Sequence, residues 1–274
     1  MLPGMSVVQT LVRPATPADY GRFVRFFAEL GTGDEPLPEA RWRATAMPNT
    51  LLFERAGQVV GYSMFEILAE TGYIRHLVVA PEARGRGVGQ SIMQELRQRF
   101  RAHGCSHMCL NVKPDNRPAI ALYERAGMLP RHRATSFQIA WSHLTQLPKS
   151  AVPLRIQTLP EADDGLFEQR FGLERGLIRR RRELPDMLVL GLREREPPCV
   201  PAGIACFDPH FPGAFPFCAR DAGAARALFE ALQRLAPELP GCALVIEHDD
   251  ALSNTLKAVG AHVRLEVVHY RGSV

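Results

Sequence analysis

The residues best equipped for chemistry form one run, YIRHLVVAPEARGRGVG, at positions 73–89. Its first half is rich in β-branched residues and reads as a strand. Its second half is a glycine-containing turn that opens a helix carrying Ile92, Met93, Leu96 and Phe100. The first-turn amides of a helix lack internal partners and sit at the positive end of the helix dipole. Gly85, Gly87 and Gly89 let such amides approach a ligand without Cβ clashes. The result is a nest suited to a pyrophosphate, and Arg84 and Arg86 could each pair with phosphate. Two better-known phosphate loops are excluded. No Lys-Ser/Thr pair follows the glycines, and the spacing Gly85-x-Gly87-x-Gly89 is not that of a dinucleotide fingerprint.

A second segment, NVKPDNRPAIALYERAGM at 111–128, follows another strand-like run, CSHMCLNV at 105–112. Asn116 reads as a helix cap, Pro118 falls in the first turn, Tyr123 lies inside and Gly127 ends the helix. The pattern Arg84-x-x-Gly87-x-Gly89 after Leu77–Val79, followed by Asn111, Asn116, Tyr123 and Gly127, resembles the GNAT family of N-acyltransferases, over roughly residues 11–140. That resemblance implies acetyl-CoA, or a related acyl-CoA, as co-substrate. Backbone groups of Leu77, Val78 and Val79 would hold the pantetheine arm and the acyl carbonyl. The amides of Arg84, Gly85, Arg86, Gly87, Val88 and Gly89 would hold the pyrophosphate, and Asn116 would contact the cofactor arm. Tyr123 would stand near the sulfur and protonate the departing thiolate. Transfer would be direct, with a backbone N–H near Val79 stabilising the oxyanion, so no cysteine nucleophile is nominated.

One part of the family pattern is missing. Many members carry a glutamate on the fourth strand as general base, and here the matching positions fall at about Tyr73 or Arg75. A guanidinium cannot act as a base at neutral pH. His76 has a suitable ordinary pKa, but strand alternation places it opposite Arg75 and favours a packed histidine. Glu29, Asp34, Glu35 and Glu66 lie on segments expected to border the acceptor cleft, where they could bind a cationic amine or relay its proton. Together with Tyr73, an Arg75 facing the cleft would suit an acceptor that carries a carboxylate. The expected reaction is acetylation of a primary amine on a small, amino-acid-like molecule. Acetylation of a protein lysine or N-terminus, and a non-catalytic acyl-CoA sensor, stay open beside it.

The elements that position these residues begin with a strand over 8–14. A helix follows from Thr16 with Phe23, Phe26, Phe27 and Leu30 at helical spacing, then a short helix near Arg41–Ala46. Residues 50–68 read as a hairpin turning at Ala56-Gly57. A last strand over 132–141 would close a first domain at 1–145. LTQLPKSAVP (144–153) reads as a linker, after which the pattern restarts. LRIQTLPEADDGLFEQRF (154–171) echoes residues 11–27, and MLVLGLRE, PAGIACFD, CALVIEH and VRLEVVHY read as strands. The expected fold is α/β, more narrowly α+β: two GNAT-like domains, each a mostly antiparallel mixed sheet flanked by helices, with the second at 152–274. In that second copy CARDAGAARALFEAL (218–232) replaces the glycine run, and Leu256 replaces Tyr123. It should bind no acetyl-CoA and serve to pack on the first domain and wall the acceptor cleft.

Composition narrows the remaining classes. A net charge of +4 over 274 residues favours an anionic ligand but is too weak to argue for nucleic acid. The arginine run 179–182 lacks stacking aromatics and reads as a solvated helix face. No apolar stretch reaches the roughly 18 residues a membrane helix needs, and the N-terminus shows no signal peptide. The six cysteines form no CxxC pair and fit a reducing, cytoplasmic setting. His103, Cys105, His107 and Cys109 alternate, but zinc sites come from turns and separated segments rather than one straight strand, so no metal is expected. The oligomeric state is open between monomer and homodimer.

Overall fold

The computed structural model describes residues 10–210 and 213–274. The first two residues of the expected 8–14 strand, and the N-terminal run read for a signal peptide up to residue 9, lie outside the described residues. The chain forms two compact units, one running to Pro130 and including Tyr270–Val274, the other Arg131–His269.

The first unit contains β1 (Leu11–Pro14), α1 (Tyr20–Ala28), α2 (Glu39–Thr45), β2 (Thr50–Arg55), β3 (Gln58–Leu68), β4 (Thr71–Val79), α3 (Val88–Ala102), β5 (His107–Val112) and α4 (Arg117–Arg125). Its strands lie in the order β1-β2-β3-β4-β5. The first four are antiparallel neighbours and β4–β5 is parallel. Ala56 and Gly57 have φ of 48° and 75°, the left-handed pair that a two-residue hairpin requires. The α1 face of the sheet is aromatic: Phe26 stacks on Tyr62 at 5.9 Å, and Phe23 stacks on Trp42 at 5.5 Å. On the other face Phe100 of α3 fills the space above Gly72, where any Cβ would collide with its ring. The entry to α1 is fixed by Asp19, which is buried. Its carboxylate accepts two bonds from Arg13 at 2.8 and 2.9 Å, plus the Thr16 N–H at 2.9 Å and the Thr16 hydroxyl at 2.8 Å.

The second unit repeats this order. It has β7 (Leu154–Thr158), α5 (Asp164–Phe171), α6 (Leu177–Arg182), β8 (Leu188–Glu194), β9 (Pro201–Asp208), β10 (Gly213–Ala219), α7 (Ala222–Leu235), β11 (Gly241–Glu247), α8 (Asp250–Ala258) and β12 (His262–Ser273), preceded by β6 (Leu129–Ala140). Its core gathers Phe137, Phe207, Phe217, Phe229, Leu228 and Leu244. The repeat extends to detail. Tyr123 and Leu256 each stand seven residues after the caps Asn116 and Asp249, and Gly127 and Gly260 each end their helices with positive φ, 77° and 86°. The four arginines of α6 are largely committed locally, with Arg182 on Asp164 at 2.8 Å and Arg180 on Glu183 at 2.7 Å.

Two features depart from the sequence expectation. β10 was not foreseen, because Gly213 and Pro216 weaken any strand reading; Pro216 sits where the β9–β10 register shifts, an irregularity that tolerates a residue with no N–H. The expected last strand of the first domain groups mainly with the second unit. Residues 134–140 pair antiparallel with β11, from Ala134↔Glu247 to Ala140↔Gly241. The first unit is completed by the end of β12, where the Val274 N–H bonds the Ser106 carbonyl at 3.2 Å. The compact units therefore differ from the expected division at 145, because a strand goes where its backbone ladder is satisfied.

Candidate active site

The site is built where β4 parts from β5. Their parallel pairing runs from Thr71↔His107 to Ile74↔Leu110 and stops there, while β4 continues against β3 as far as Val79↔Gly61. At the same point β4 carries an extra residue. Ile74 pairs with Phe65 and His76 with Met64, so Arg75 is a bulge opposite neither. A bulge bends its strand and re-aims the side chains beyond it. The open edge that results needs partners for its backbone groups. The Ala80 N–H bonds the Val60 carbonyl at 2.9 Å. By the alternation of an antiparallel ladder, Val79 and Leu77 then direct their N–H and C=O away from β3, toward the opened side, while Val78 faces β3. Of the three expected backbone contacts, Leu77 and the Val79 N–H are therefore the ones available, since Arg84 holds the Val79 carbonyl.

The bulge also corrects the placement of His76. Simple alternation sets it opposite Arg75; the extra residue restores it to the face of Tyr73 and Glu66, where Arg75 also lies. His76 is nevertheless packed. Its Nδ1 meets the Tyr62 hydroxyl at 2.5 Å and its ring stands edge-on to Phe27 at 5.6 Å. Burial, with a lesser contribution from Arg75, pushes its pKa down to about 3, which makes it a poor base at neutral pH.

Tyr73, Arg75, Glu66 and Asn111 form one cluster on this face. Arg75 lies over the Tyr73 ring at 4.7 Å and its Nε is 4.0 Å from the buried Glu66 carboxylate. Asn111, one residue beyond the last β4–β5 pair, donates to the Tyr73 hydroxyl at 3.0 Å. Asn111 has a place in the sequence pattern but no role there; its bond across the splay supplies one. The other expected acceptor residues are elsewhere. Glu29 is bound by Arg84 at 2.6 Å. Asp34 and Glu35 are exposed on the loop between α1 and α2, which Lys113 anchors by donating to the Gly31 carbonyl.

At the far end of β4 the chain turns into α3. Gly85 and Gly87 have φ of +74° and +78°, and an added Cβ at Gly85 would meet nothing within 4 Å. A residue other than glycine is strained there by the backbone rather than by crowding. The first helical bond of α3 runs from the Ser91 N–H to the Gly87 carbonyl at 3.1 Å. The amides of Val88, Gly89 and Gln90 precede it and have no intrahelical acceptor. Gly89 lets α3 and α4 approach, since its Cβ would stand 3.0 Å from Leu122. Arg84 does not reach toward this nest. Its guanidinium bonds Glu29 and, at 3.1 Å, the Val79 carbonyl, and so braces the turn. The Arg86 side chain is exposed, and its carbonyl is held by Arg55 at 2.7 Å.

On α4, Asn116 uses its side-chain oxygen to accept from the Ala119 N–H at 3.3 Å, as a cap does. Tyr123 is buried, with its ring 6.5 Å from that of Tyr270. Burial raises its pKa well above the ordinary tyrosine value, so the hydroxyl keeps its proton. The opened β4 edge, the glycine cradle and three free helix amides suit an acyl-CoA, whose arm offers amides and whose diphosphate offers charge. Among the described residues no helix is long and apolar enough to cross a membrane.

This arrangement is an α/β fold with a splayed sheet and a glycine-capped helix start. Residues 22–128 match the acetyltransferase (GNAT) family model. The matched segment lies within the first unit. Solved structures match along nearly the whole chain. A GCN5-related N-acetyltransferase from Sphaerobacter thermophilus is 18% identical with a TM-score of 0.67, over 96% of this chain and 95% of that one. A tandem GNAT protein from the clavulanic acid biosynthesis pathway is 16% identical with a TM-score of 0.59, over 97% and 98%. A GCN5-related N-acetyltransferase from Anabaena variabilis is 14% identical with a TM-score of 0.57, over 96% and 72%.

Proposed function

We propose that the protein transfers an acetyl group from acetyl-CoA to the primary amine of a small molecule that also carries a carboxylate, and that the first unit alone performs the transfer. The observation that carries this reading is the Arg75 bulge, which sets a guanidinium beside Tyr73 and Glu66 where β4 leaves β5. Leu77 and Val79 offer backbone groups to the pantetheine arm and to the acyl carbonyl. The Arg84 N–H is committed to the Pro81 carbonyl at 3.3 Å, so residues Gly85 to Gly89 supply the amides to the pyrophosphate, and Asn116 keeps its amide nitrogen for the cofactor arm. Arg75 receives the acceptor's carboxylate. Glu66, beside Arg75, takes the proton from the acceptor's ammonium, directly or through water. The freed amine forms a bond to the thioester carbonyl carbon, the Val79 region stabilises the oxyanion, and Tyr123 donates its proton to sulfur as the C–S bond breaks. The six cysteines are free thiols and fit a cytoplasmic site of action.

The test is CoA-thiol release across a panel of amines, with wild type and Arg75→Ala in parallel. Loss of kcat/KM by about a hundredfold on carboxylated amines, with uncharged amines nearly unaffected, is expected for a lost charge-assisted bidentate contact. Equal effects on both classes would sink the carboxylate reading. Turnover confined to peptide N-termini or lysines would move the acceptor to proteins.

A further inference from the structure

Three strands of the second unit converge side chains that acyl transfer does not use. His132 stands near the start of β6, Glu247 ends β11 and His269 lies late in β12; one ligand atom from each falls within 4.8 Å of the others. The His132 and His269 rings are stacked, 4.5 Å apart and 16° from parallel, and His269 is 6% exposed. A third imidazole, His248, crowds His132 with ring centroids 3.3 Å apart. Both ring nitrogens of His132 are buried with no hydrogen-bond partner.

This is an unfavourable way to bury imidazoles unless something joins them. A buried polar nitrogen ordinarily has a partner, and two unpaired nitrogens on one ring are a double exception. Neutral imidazole and carboxylate share one property: each presents a lone pair. A cation draws such lone pairs together and would partner one of the two His132 nitrogens. Two imidazoles and a carboxylate match zinc-class divalent ions rather than magnesium or calcium, which prefer oxygen ligands throughout. Zinc–nitrogen bonds of about 2.0–2.1 Å place ligand atoms roughly 3.4 Å apart, so atoms now within 4.8 Å of one another need to close by at most roughly 1.4 Å. Glu174 adds a second negative charge acting on His132, which with Glu247 balances a divalent ion.

We propose that His132, His269 and Glu247 bind a zinc-class divalent cation in the second unit. Its role is structural. His132 and His269 lie 137 positions apart, at the two ends of the chain segment that makes this unit. A clip that closes so long a loop gains more from the unfolded chain's entropy than one closing a short loop. Unlike an alternating run within one strand, this set comes from separated segments, as structural zinc sites do.

The experiment is stoichiometric metal binding by the untagged full chain, stripped with chelator and titrated with Zn2+ and with Co2+. One equivalent per chain is expected, with a tetrahedral Co2+ visible spectrum and a rise in Tm on Zn2+ addition. Affinity should fall tenfold or more in His132→Ala and in Glu247→Gln, while His210→Ala, an exposed histidine of the same unit, should bind as wild type does. Far-UV circular dichroism establishes that each variant is folded. If His132→Ala does not fold, Glu247→Gln decides. Absence of stoichiometric binding by wild type, or binding that survives these substitutions, overturns the proposal.

Discussion

The two units begin their third helix in opposite ways, and the difference bears on the proposal that only the first unit binds acyl-CoA. At α3 the cap is Gly87, with positive φ, no side chain and open amides behind it. At α7 the cap is Asp221, whose carboxylate accepts the Ala224 N–H at 2.8 Å and is itself held by Arg220 at 2.8 Å. The amide that could meet a pyrophosphate is already satisfied, and by a negative charge. The space is also filled: a Cβ on Gly223 would stand 2.7 Å from the Ser150 backbone, so the chain entering the second unit lies across the helix start. One helix start is shaped to receive an anion and the other already contains one.

The comparison is broken most severely at the transferring proton. Tyr123→Phe should lower kcat by about 10²–10⁴-fold, the range for loss of a general acid, with acyl-CoA affinity within about threefold of wild type by calorimetry. The mirror change Leu256→Tyr, in a fully buried position, should add no activity. A Tyr123→Phe enzyme with unaltered kcat would remove the residue from the mechanism. Next comes the helix start itself. Gly87→Asp gives α3 the cap of α7 in a left-handed backbone, and should weaken acyl-CoA binding by about a hundredfold through charge repulsion and strain. Asp221→Gly should create no second site, because the Ser150 backbone stays in place; titration finding two cofactor sites in that variant would show that the capping carboxylate alone had closed it.

Much of this contrast is legible in the sequence. The glycines at 85, 87 and 89, against one glycine behind an aspartate, already separate the open helix start from the capped one. Asn116, Pro118 and Gly127 mark their helix because capping is a local affair. What the sequence hides is pairing at a distance. The bulge at Arg75 arises from register against β3, and no residue of β4 announces it, so His76 is placed on the wrong face by alternation alone. Arg84 reads as a phosphate ligand, but Glu29, 55 positions earlier, takes its guanidinium. The exchange of 131–140 for 270–274 depends on which ladder each strand completes. The His132 cluster draws on three strands with no common spacing. Pro216 conceals β10 because its place at a register shift is a tertiary fact.

A smaller effect separates the helix entries in stability rather than function. Asp19 is 2% exposed and accepts bonds from Arg13, Arg22 and Thr16, whereas Asp163 of the second unit meets Arg193 at 3.0 Å while 32% exposed. Asp19→Asn should cost about 1.5–3 kcal/mol, as losing hydrogen bonds to a charged group does, and Asp163→Asn under about 1 kcal/mol, both read from urea midpoints. The sign with pH follows from Arg13, whose bonds to the carboxylate hold the Asp19 pKa well below its ordinary 3.8. The stabilisation is complete above that value and is lost as pH falls through the folded one. Equal costs for the two substitutions would mean that burial does not distinguish the entries.

The last comparison concerns His76, a position for which β10 offers no histidine. In the folded protein His76 stays neutral down to about pH 3, while in the unfolded chain it takes up a proton near 6.5. The unfolded state therefore binds more protons across that window, and stability must decline as pH falls from about 6.5 toward 3. His76→Phe keeps an aromatic ring beside Phe27 and Tyr62 but removes the titration. The difference in Tm between variant and wild type should shift in the variant's favour as pH falls through this range, with little change above pH 7. Contributions from groups common to both proteins cancel in that difference. A difference that is flat with pH would show that His76 is protonated in the fold, and would return it to consideration as the base that accepts the amine's proton in place of Glu66.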